Sequence, residues 1–326
     1  MNRRAFSWTA LCLAAVVSSS APIAAQAETN FPTRTVRIIS PFAAGGPTDS
    51  LLRIMVDKLK DKWKQTVIIE NKPGAGTMVG TSYVARAQPD GYTIGYAIGA
   101  LTINQAIRES VPYDLTRDFE YVTQCTYVSG YPLVANANFP ANTLPELIAL
   151  AKKSSPPLMF ASPGPGTNGH MMGLLLARET GTQLQHVPYN GSAPALIDVL
   201  AGRVPLMFDV WISVKPYVDA GKLKVIALAN TERMPGYNFP TIGETVPGAG
   251  MDSIQGFIAP AGTPKEIVDK IARDIGEVVN DPATAARIRP LGFAPVHSSP
   301  AQYKAKVMAE FEQWKRVSAE TGLKLK

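Results

Sequence analysis

Two cysteines and three histidines are all that 326 residues offer in the way of thiol and imidazole ligands. His170, His186 and His297 are too far apart in sequence for the H-x-x-x-H pair of a zinc helix, and Cys12 and Cys125 complete no zinc pattern. No resident metal is expected. There is no G-x-S-x-G elbow, so a hydrolase triad lacks its anchor. Charge is sparse as well, at 18% Asp, Glu, Lys and Arg, and the formal +6 is scattered rather than striped, which gives a nucleic-acid groove no support. Beyond the N-terminal segment no run reaches 18 uninterrupted apolar residues, so the mature chain is not expected to sit in a membrane. With 26 Gly, 27 Pro and 46% hydrophobic residues, the chain is neither low-complexity nor broadly disordered. Its length suits two lobes better than one core.

The N-terminus reads as an address. Arg3 and Arg4 precede an apolar stretch from Trp8 to Val17, and Ala25-Gln26-Ala27 is an A-x-A cleavage site. About ten apolar residues are too few to cross a bilayer core of roughly 30 Å, so this is a secretory signal peptide and not a span. The paired arginines before Phe6 also fit a twin-arginine signal, and the export route stays open between the two. Cys12 has Leu11 before it, where a lipoprotein signal wants a small residue, so lipidation is not expected. Cleavage would take 27 of the 326 residues, Arg3, Arg4 and Cys12 among them, leaving 299 residues and lowering the formal charge from +6 to +4. Cys125 would then be alone, with no internal disulfide possible, and its strand-forming neighbours mark it as a small buried hydrophobe.

Along the mature chain, strand and helix patterns alternate. Thr35–Ser40 reads as a strand, followed by a helix from about Thr48 with Leu51, Leu52, Met55, Val56, Leu59 and Trp63 on one face. A strand over Val67–Glu70, a helix over Thr77–Ala87 and a strand over Tyr92–Ile98 complete a βαβαβ run, which predicts a mostly parallel sheet. A second run begins with a capping box, Thr143 and Glu146, and a helix to Lys153. Strands are predicted at Leu158–Ser162, Gln183–Val187, Leu206–Phe208 and Lys224–Ala229, with helices from His170 to Glu179 and from a Ser192 cap to Leu200. The chain then returns through an extended Ser253–Ala259. Thr263-Pro264 with Glu266 is expected to cap a helix to about Val279, and Ser299-Pro300 to start a last helix stopped by Gly322. The expected division is a signal peptide (1–27), lobe I (28–130 plus 252–326) and lobe II (131–251), joined by two extended hinge crossings.

Four glycine-bearing turns lie between predicted strands and helices: residues 41–49, 73–77, 162–170 and 189–192. Glycine admits close backbone approach, and the helix that follows offers unpaired N–H groups and a partial positive charge suited to a carboxylate. Gly164-x-Gly166-x-x-Gly169 has the form of a dinucleotide fingerprint, but the next strand ends in Val187-Pro188-Tyr189-Asn190 with no ribose-binding acid, so no nucleotide cofactor is expected. His170 either touches a ligand or is a polar neighbour of a helix start, whereas His186 is read as structural. Asp209 either organises hydrogen bonds in the cleft or caps the helix beginning at Trp211. Asp49 is read as an organiser of its loop and not as a catalytic acid.

Pro41-Phe42 with Gly45-Gly46-Pro47-Thr48-Asp49 and Glu70-Asn71-Lys72-Pro73-Gly74-Ala75-Gly76 carry a resemblance, continued by Pro89-Asp90-Gly91-Tyr92-Thr93, Gly166-Thr167 with His170, and Val187-Pro188-Tyr189 with Gly191-Ser192-Ala193-Pro194-Ala195. Phe208-Asp209 and Ala259-Pro260-Ala261-Gly262-Thr263-Pro264 complete it. In this order the motifs resemble the Bug-type substrate-binding receptors of tripartite tricarboxylate transporters. The resemblance implies an α/β two-lobed periplasmic binding protein of type II-like form, with its ligand cleft between the lobes, and a monomeric receptor without catalytic activity. It implies capture of a small carboxylate and delivery to membrane transporter subunits. Carried over by position, the clamp is Phe42, Ala43, Gly46, Thr48 and Asp49 from one lobe. From the other it is Ser162, Thr167, His170, Tyr189, Asn190, Gly191, Ser192 and Asp209. Ala43-Ala44 stand where the family often has prolines, Asn190 replaces a common Lys, and Trp211 adds a bulky aromatic, facing either the cleft or the lobe core; together these tilt the expectation toward an apolar or aromatic carboxylate such as a phthalate-like diacid. A ligand sensor for a membrane signalling partner, and a secreted hydrolase, are the rival readings.

Overall fold

The computed structural model describes residues 30–128, 130–189, 191–231, 233 and 238–324. The signal-peptide reading of residues 1–27, Cys12 with it, and the candidate ligand residue Asn190 lie outside the described residues. The βαβαβ run is present as β1 (Val36–Ser40), α1 (Pro47–Trp63), β2 (Val67–Asn71), α2 (Met78–Ala85) and β3 (Thr93–Ala97). After it come α3 (Ala100–Ile107), β4 (Phe119–Val128), β5 (Pro132–Asn136), α4 (Leu144–Lys153), β6 (Leu158–Ser162) and α5 (Asn168–Thr180). The chain continues through β7 (Leu184–Pro188), α6 (Ser192–Leu200), β8 (Leu206–Phe208), α7 (Trp211–Asp219), β9 (Leu223–Leu228) and the single turn α8 (Ile242–Thr245). It ends with β10 (Ile254–Pro260), α9 (Lys265–Asn280), α10 (Pro282–Ile288), β11 (Phe293–Pro295) and α11 (Pro300–Thr321). From Phe31 onward these elements form one compact unit.

Two sheets organise that unit, in the orders β11-β4-β10-β3-β1-β2 and β7-β6-β8-β5-β9. The mostly parallel sheet expected from the sequence is corrected to two mixed ones. Only β1 with β2 and β3, and β6 with β7 and β8, pair in parallel. β10 lies antiparallel between β3 and β4, and β5 antiparallel between β8 and β9. The reason is connectivity. A parallel neighbour must be reached through a crossover within one sheet, whereas β5 and β10 are entered by chain arriving from the other sheet. The two crossings run side by side: Val128 N–H donates to Ser253 O (3.3 Å) and Ala229 N–H to Tyr131 O (2.8 Å).

Local chemistry fixes the helices that frame the site. Pro47 occupies the first turn of α1, whose 3.6-residue stripe, Leu51, Leu52, Met55, Val56, Leu59 and Trp63, is buried throughout. Trp63 Nε1 donates to Asp274 Oδ2 of α9 at 2.6 Å, so the indole fills the core and satisfies its one donor. Ser299 and Gln302 make a complete capping box on α11. Thr143 caps α4, but the Glu146 carboxylate turns to the Asn142 N–H instead of closing the box. The Thr263 cap is not formed, because its hydroxyl donates back to Pro260 O (2.7 Å) and α9 starts after Pro264. Nor does Ser192 cap α6. Gly191, at φ +108° where a β-carbon would be strained, takes the cap position and leaves Ser192 as the first helical residue. Cys125, on β4 of the first sheet, is completely buried in the core, and burial pushes its thiol up to about 12.

Candidate functional site

A cleft of about 710 Å³ opens where the turns after β1, β2, β6, β7 and β8 meet the two crossings. Phe42, Ala43, Gly46 and Thr48 line it from the first sheet, and Thr167, Ser192 and Asp209 from the second. Thus seven of the expected residues share one cavity although they are up to 167 positions apart. The helices α1, α5 and α6 all begin on its wall, at Pro47, Asn168 and Ser192. Their first-turn amides have no partner inside the helix, and they bring the positive ends of three helix dipoles to one place.

The remaining expected residues that the structure describes, Asp49, Ser162, His170, Tyr189 and Gly191, are not on the wall, and each is engaged in holding a turn. Asp49 is buried. Burial alone would raise its carboxyl, but the Gly45 N–H (3.1 Å), the Arg53 guanidinium (2.8 Å) and the Asn71 amide (3.4 Å) hold it below the ordinary carboxylate range. Ser162, fully buried, accepts the Gly164 N–H and donates to Gly164 O, so its one proton is used within its own turn. His186 Nε2 lies 2.7 Å from the same oxygen. This has the distance of a nucleophile and its base, but the hydroxyl is sealed from the cleft and occupied by the turn. His170 Nδ1 accepts the Gly166 N–H (3.2 Å), and its ring stacks on His186 at 3.9 Å. Burial, reinforced by His186, pushes His170 down to about 3, and burial pushes His186 to about 4, so both rings are neutral. Tyr189 donates its hydroxyl to Asp198 (2.6 Å), and Gly191 N–H bonds Pro163 O, joining the third and fourth turns.

Several further wall residues were not among the expected ones, and all but Asn168 lie outside the four glycine-bearing turns. Val128 and Tyr131 come from one crossing, Ser253 and Gln255 from the other, Asn168 from the start of α5, and Ile98 and Phe293 from the first sheet's strand ends. Gly74, Gly76 and Thr77 belong to a turn that the sequence marks as glycine-bearing but to which no ligand role was given. Trp211 is not on the wall. It is half-buried against the hydrophobic cluster of the second sheet, with its ring 5.6 Å from Phe239, so Trp211 takes the lobe-core alternative and contributes nothing to ligand choice.

Among the described residues no Lys, Arg or His lines the cleft, and Asp209 is the one side chain there that can carry a formal charge near neutral pH. Its Oδ1 accepts the Val210 N–H at 2.7 Å, so it organises the strand end and does not cap α7 at Trp211. Its Oδ2 is buried without a partner in bonding geometry. Burial raises this carboxyl to about 6; the Ser192 hydroxyl, near enough to favour the anion, and the Val210 N–H offset part of the rise. A second acid sits deeper. Glu310 of α11 is buried, and its Oε1 and Asn168 Oδ1 both lack partners. They converge on Gly99, where a β-carbon would come within 3.0 Å and 3.2 Å of them. Asn168 Nδ2 donates to Ser253 Oγ at 2.7 Å, linking the start of α5 to a crossing. Burial pushes Glu310 up to about 8, against opposing contributions from Trp314 and Thr102.

A cleft that brings helix starts and neutral donors from two sheets to one cavity suits an anion held without a counter-cation. The family model for the tripartite tricarboxylate transporter family receptor matches residues 51–323. A UPF0065 protein of Bordetella bronchiseptica is 34% identical over 284 residues, covering 86% of this chain and 84% of its own. The structure of the periplasmic binding protein BugD superposes with a TM-score of 0.78 at 32% identity, covering 90% of this chain and 99% of BugD. The structure of Rpa4515 of R. palustris with adipate does so with a TM-score of 0.80 at 31% identity and the same coverage. Like these, the fold is a two-lobed α/β binding protein, and among the described residues no helix is long and apolar enough to cross a membrane. The chain belongs to the tripartite tricarboxylate transporter receptor family.

Proposed function

We propose that the protein is a periplasmic receptor that captures a small aliphatic dicarboxylate in the cleft and hands it to membrane transporter subunits of the tripartite tricarboxylate type. The observation that carries this reading is the cleft wall, where three helix starts and the residues Thr48 and Ser192 converge from both sheets with no Lys, Arg or His among the described residues, while the Thr167 hydroxyl donates back to Gly164 O (2.7 Å) and holds its turn. Such a wall can hold a carboxylate through amides and hydroxyls, and the absence of a buried cation keeps the complex releasable. A diacid of adipate's length, as in the Rpa4515 complex, suits the apolar middle supplied by Phe42, Ile98, Val128 and Val210.

Capture follows from differential contact. The two sheets, taken as lobes 28–130 plus 252–326 and 131–251, would both touch the ligand only when the crossings bend to close the cleft, so ligand shifts the population toward the closed form. Residues 1–27 are removed on export in this reading, and the receptor acts as a monomer without catalysis. Calorimetric titration of the protein with adipate is the test. Binding is expected, and Ser192→Ala should weaken it about 2- to 13-fold, the range for one hydrogen bond worth about 0.5–1.5 kcal/mol. A panel of mono- and dicarboxylates that produces no binding, while carboxylic esters are turned over, would replace the receptor with a hydrolase.

A further inference from the structure

We infer that Asp209 makes ligand capture proton-linked, the cleft closing on a fully ionised diacid together with one proton shared between a ligand carboxylate and Asp209 Oδ2. This rests on the carboxylate-binding reading above and gives that site its chemistry.

The argument starts from an unfilled valence. Asp209 is 1% exposed yet forms part of the cleft wall, and its Oδ2 is buried with no bonding partner. An unpaired buried acceptor is costly, so its natural complement is a donor arriving with the ligand or a proton. None of the groups packed around it brings an unpaired positive charge. Tyr131, on the crossing, is a phenol whose own ionisation is suppressed by burial and by the charge of Asp209. From α6, Ser192 brings a hydroxyl, and Asp198 is paired with Arg203. Lys215 and Asp219 of α7 are paired with each other. His170 of α5 and His186 of β7 are neutral behind the third turn. Asn168 and Gln255 are amides.

An ionised carboxylate entering this cavity therefore meets one formal charge, of its own sign. Two carboxylates at close range cannot both stay ionised. One proton between them turns repulsion into a charge-assisted O–H···O⁻ bond and fills the Oδ2 position at the same time. The buried carboxyl already titrates near the solution range, at about 6, so the proton is drawn without a large penalty.

Adipate, titrated calorimetrically between about pH 6.5 and pH 8 in buffers of contrasting ionisation enthalpy, separates the outcomes, since its own carboxyls are ionised in water across that range. The expected result is an affinity that falls about tenfold per pH unit, with nearly one proton taken up per ligand. Asp209→Asn, whose amide donates at every pH, should bind adipate with an affinity that no longer changes with pH. Adipate binding to the unaltered protein that is independent of pH and buffer overturns the proton link while leaving the receptor reading intact. Absence of adipate binding at any pH overturns both. If Asp209→Asn does not fold, the pH and buffer dependence of the unaltered protein still decides.

Discussion

Glu310→Gln tests the electrostatics of this interior most directly. The side chain is buried on α11 beside Gly99 and Asn168, and burial moves its carboxyl from an ordinary 4.5 up to about 8. A carboxyl whose native pKa is raised holds its proton more tightly folded than unfolded. Its contribution is therefore complete below pH 4.5 and is lost as the pH climbs through 8. The whole displacement, at about 1.4 kcal/mol per pH unit, is worth roughly 5 kcal/mol, most of which falls between pH 5 and pH 8. Glutamine keeps the shape, carries no charge at any pH, and can donate its amide to the unpartnered Asn168 Oδ1. Urea unfolding of both proteins at pH 5 and pH 8 isolates the group, because every other titration cancels in the difference between them. Relative to the unaltered protein, the variant should gain about 3 kcal/mol at pH 8 over its standing at pH 5. Parallel pH dependences for the two proteins would mean that Glu310 is ionised in the native state and that the reasoning about its burial is wrong.

Two further outcomes follow from packing. Gly169 lies so close to β8 that a β-carbon there would meet Phe208 O at 2.6 Å, and Gly169→Ala should destabilise by about 1–3 kcal/mol in chemical denaturation, since main chain cannot step aside as a side chain can. An unchanged midpoint would mean that α5 sits farther from the strand than described. Cys125, fully buried with its thiol pushed up to about 12, should resist a thiol reagent at pH 8 until denaturant is added. Rapid labelling of the native protein would contradict its place in the core.

Much of this could be read from the sequence where a feature is local. The stripe of α1 was legible because a period of 3.6 needs no partner to be seen, and Leu51 through Trp63 are all buried as that period requires. Gly181 and Gly322 end their helices in the left-handed region for the same local reason. Strand direction was not legible. β10 reads like any apolar strand, and its antiparallel place between β3 and β4 is set by chain that returns from the other sheet. Helix α3 leaves no signature in the sequence, being eight residues long without a side-chain cap.

The candidate site divides along the same line. Glycine announces a turn, so Phe42, Gly46, Thr167 and Ser192 could be placed near a cleft. A polar residue beside glycine does not announce which way it donates, and Ser162, His170 and Asp49 spend their hydrogen bonds on their own loops. Tyr131, Ser253 and Gln255 reach the wall only because two crossings lie together, which no local pattern encodes.

Those adjoining crossings have a consequence for engineering and descent alike. Every strand of the second sheet lies between β4 and β10, so the whole sheet is an insert with one entrance and one exit, side by side. Cutting at two neighbouring points would lift out half of the binding cavity as a cassette and accept the corresponding piece of a relative, with Thr167, Ser192 and Asp209 travelling together while the first sheet stays intact.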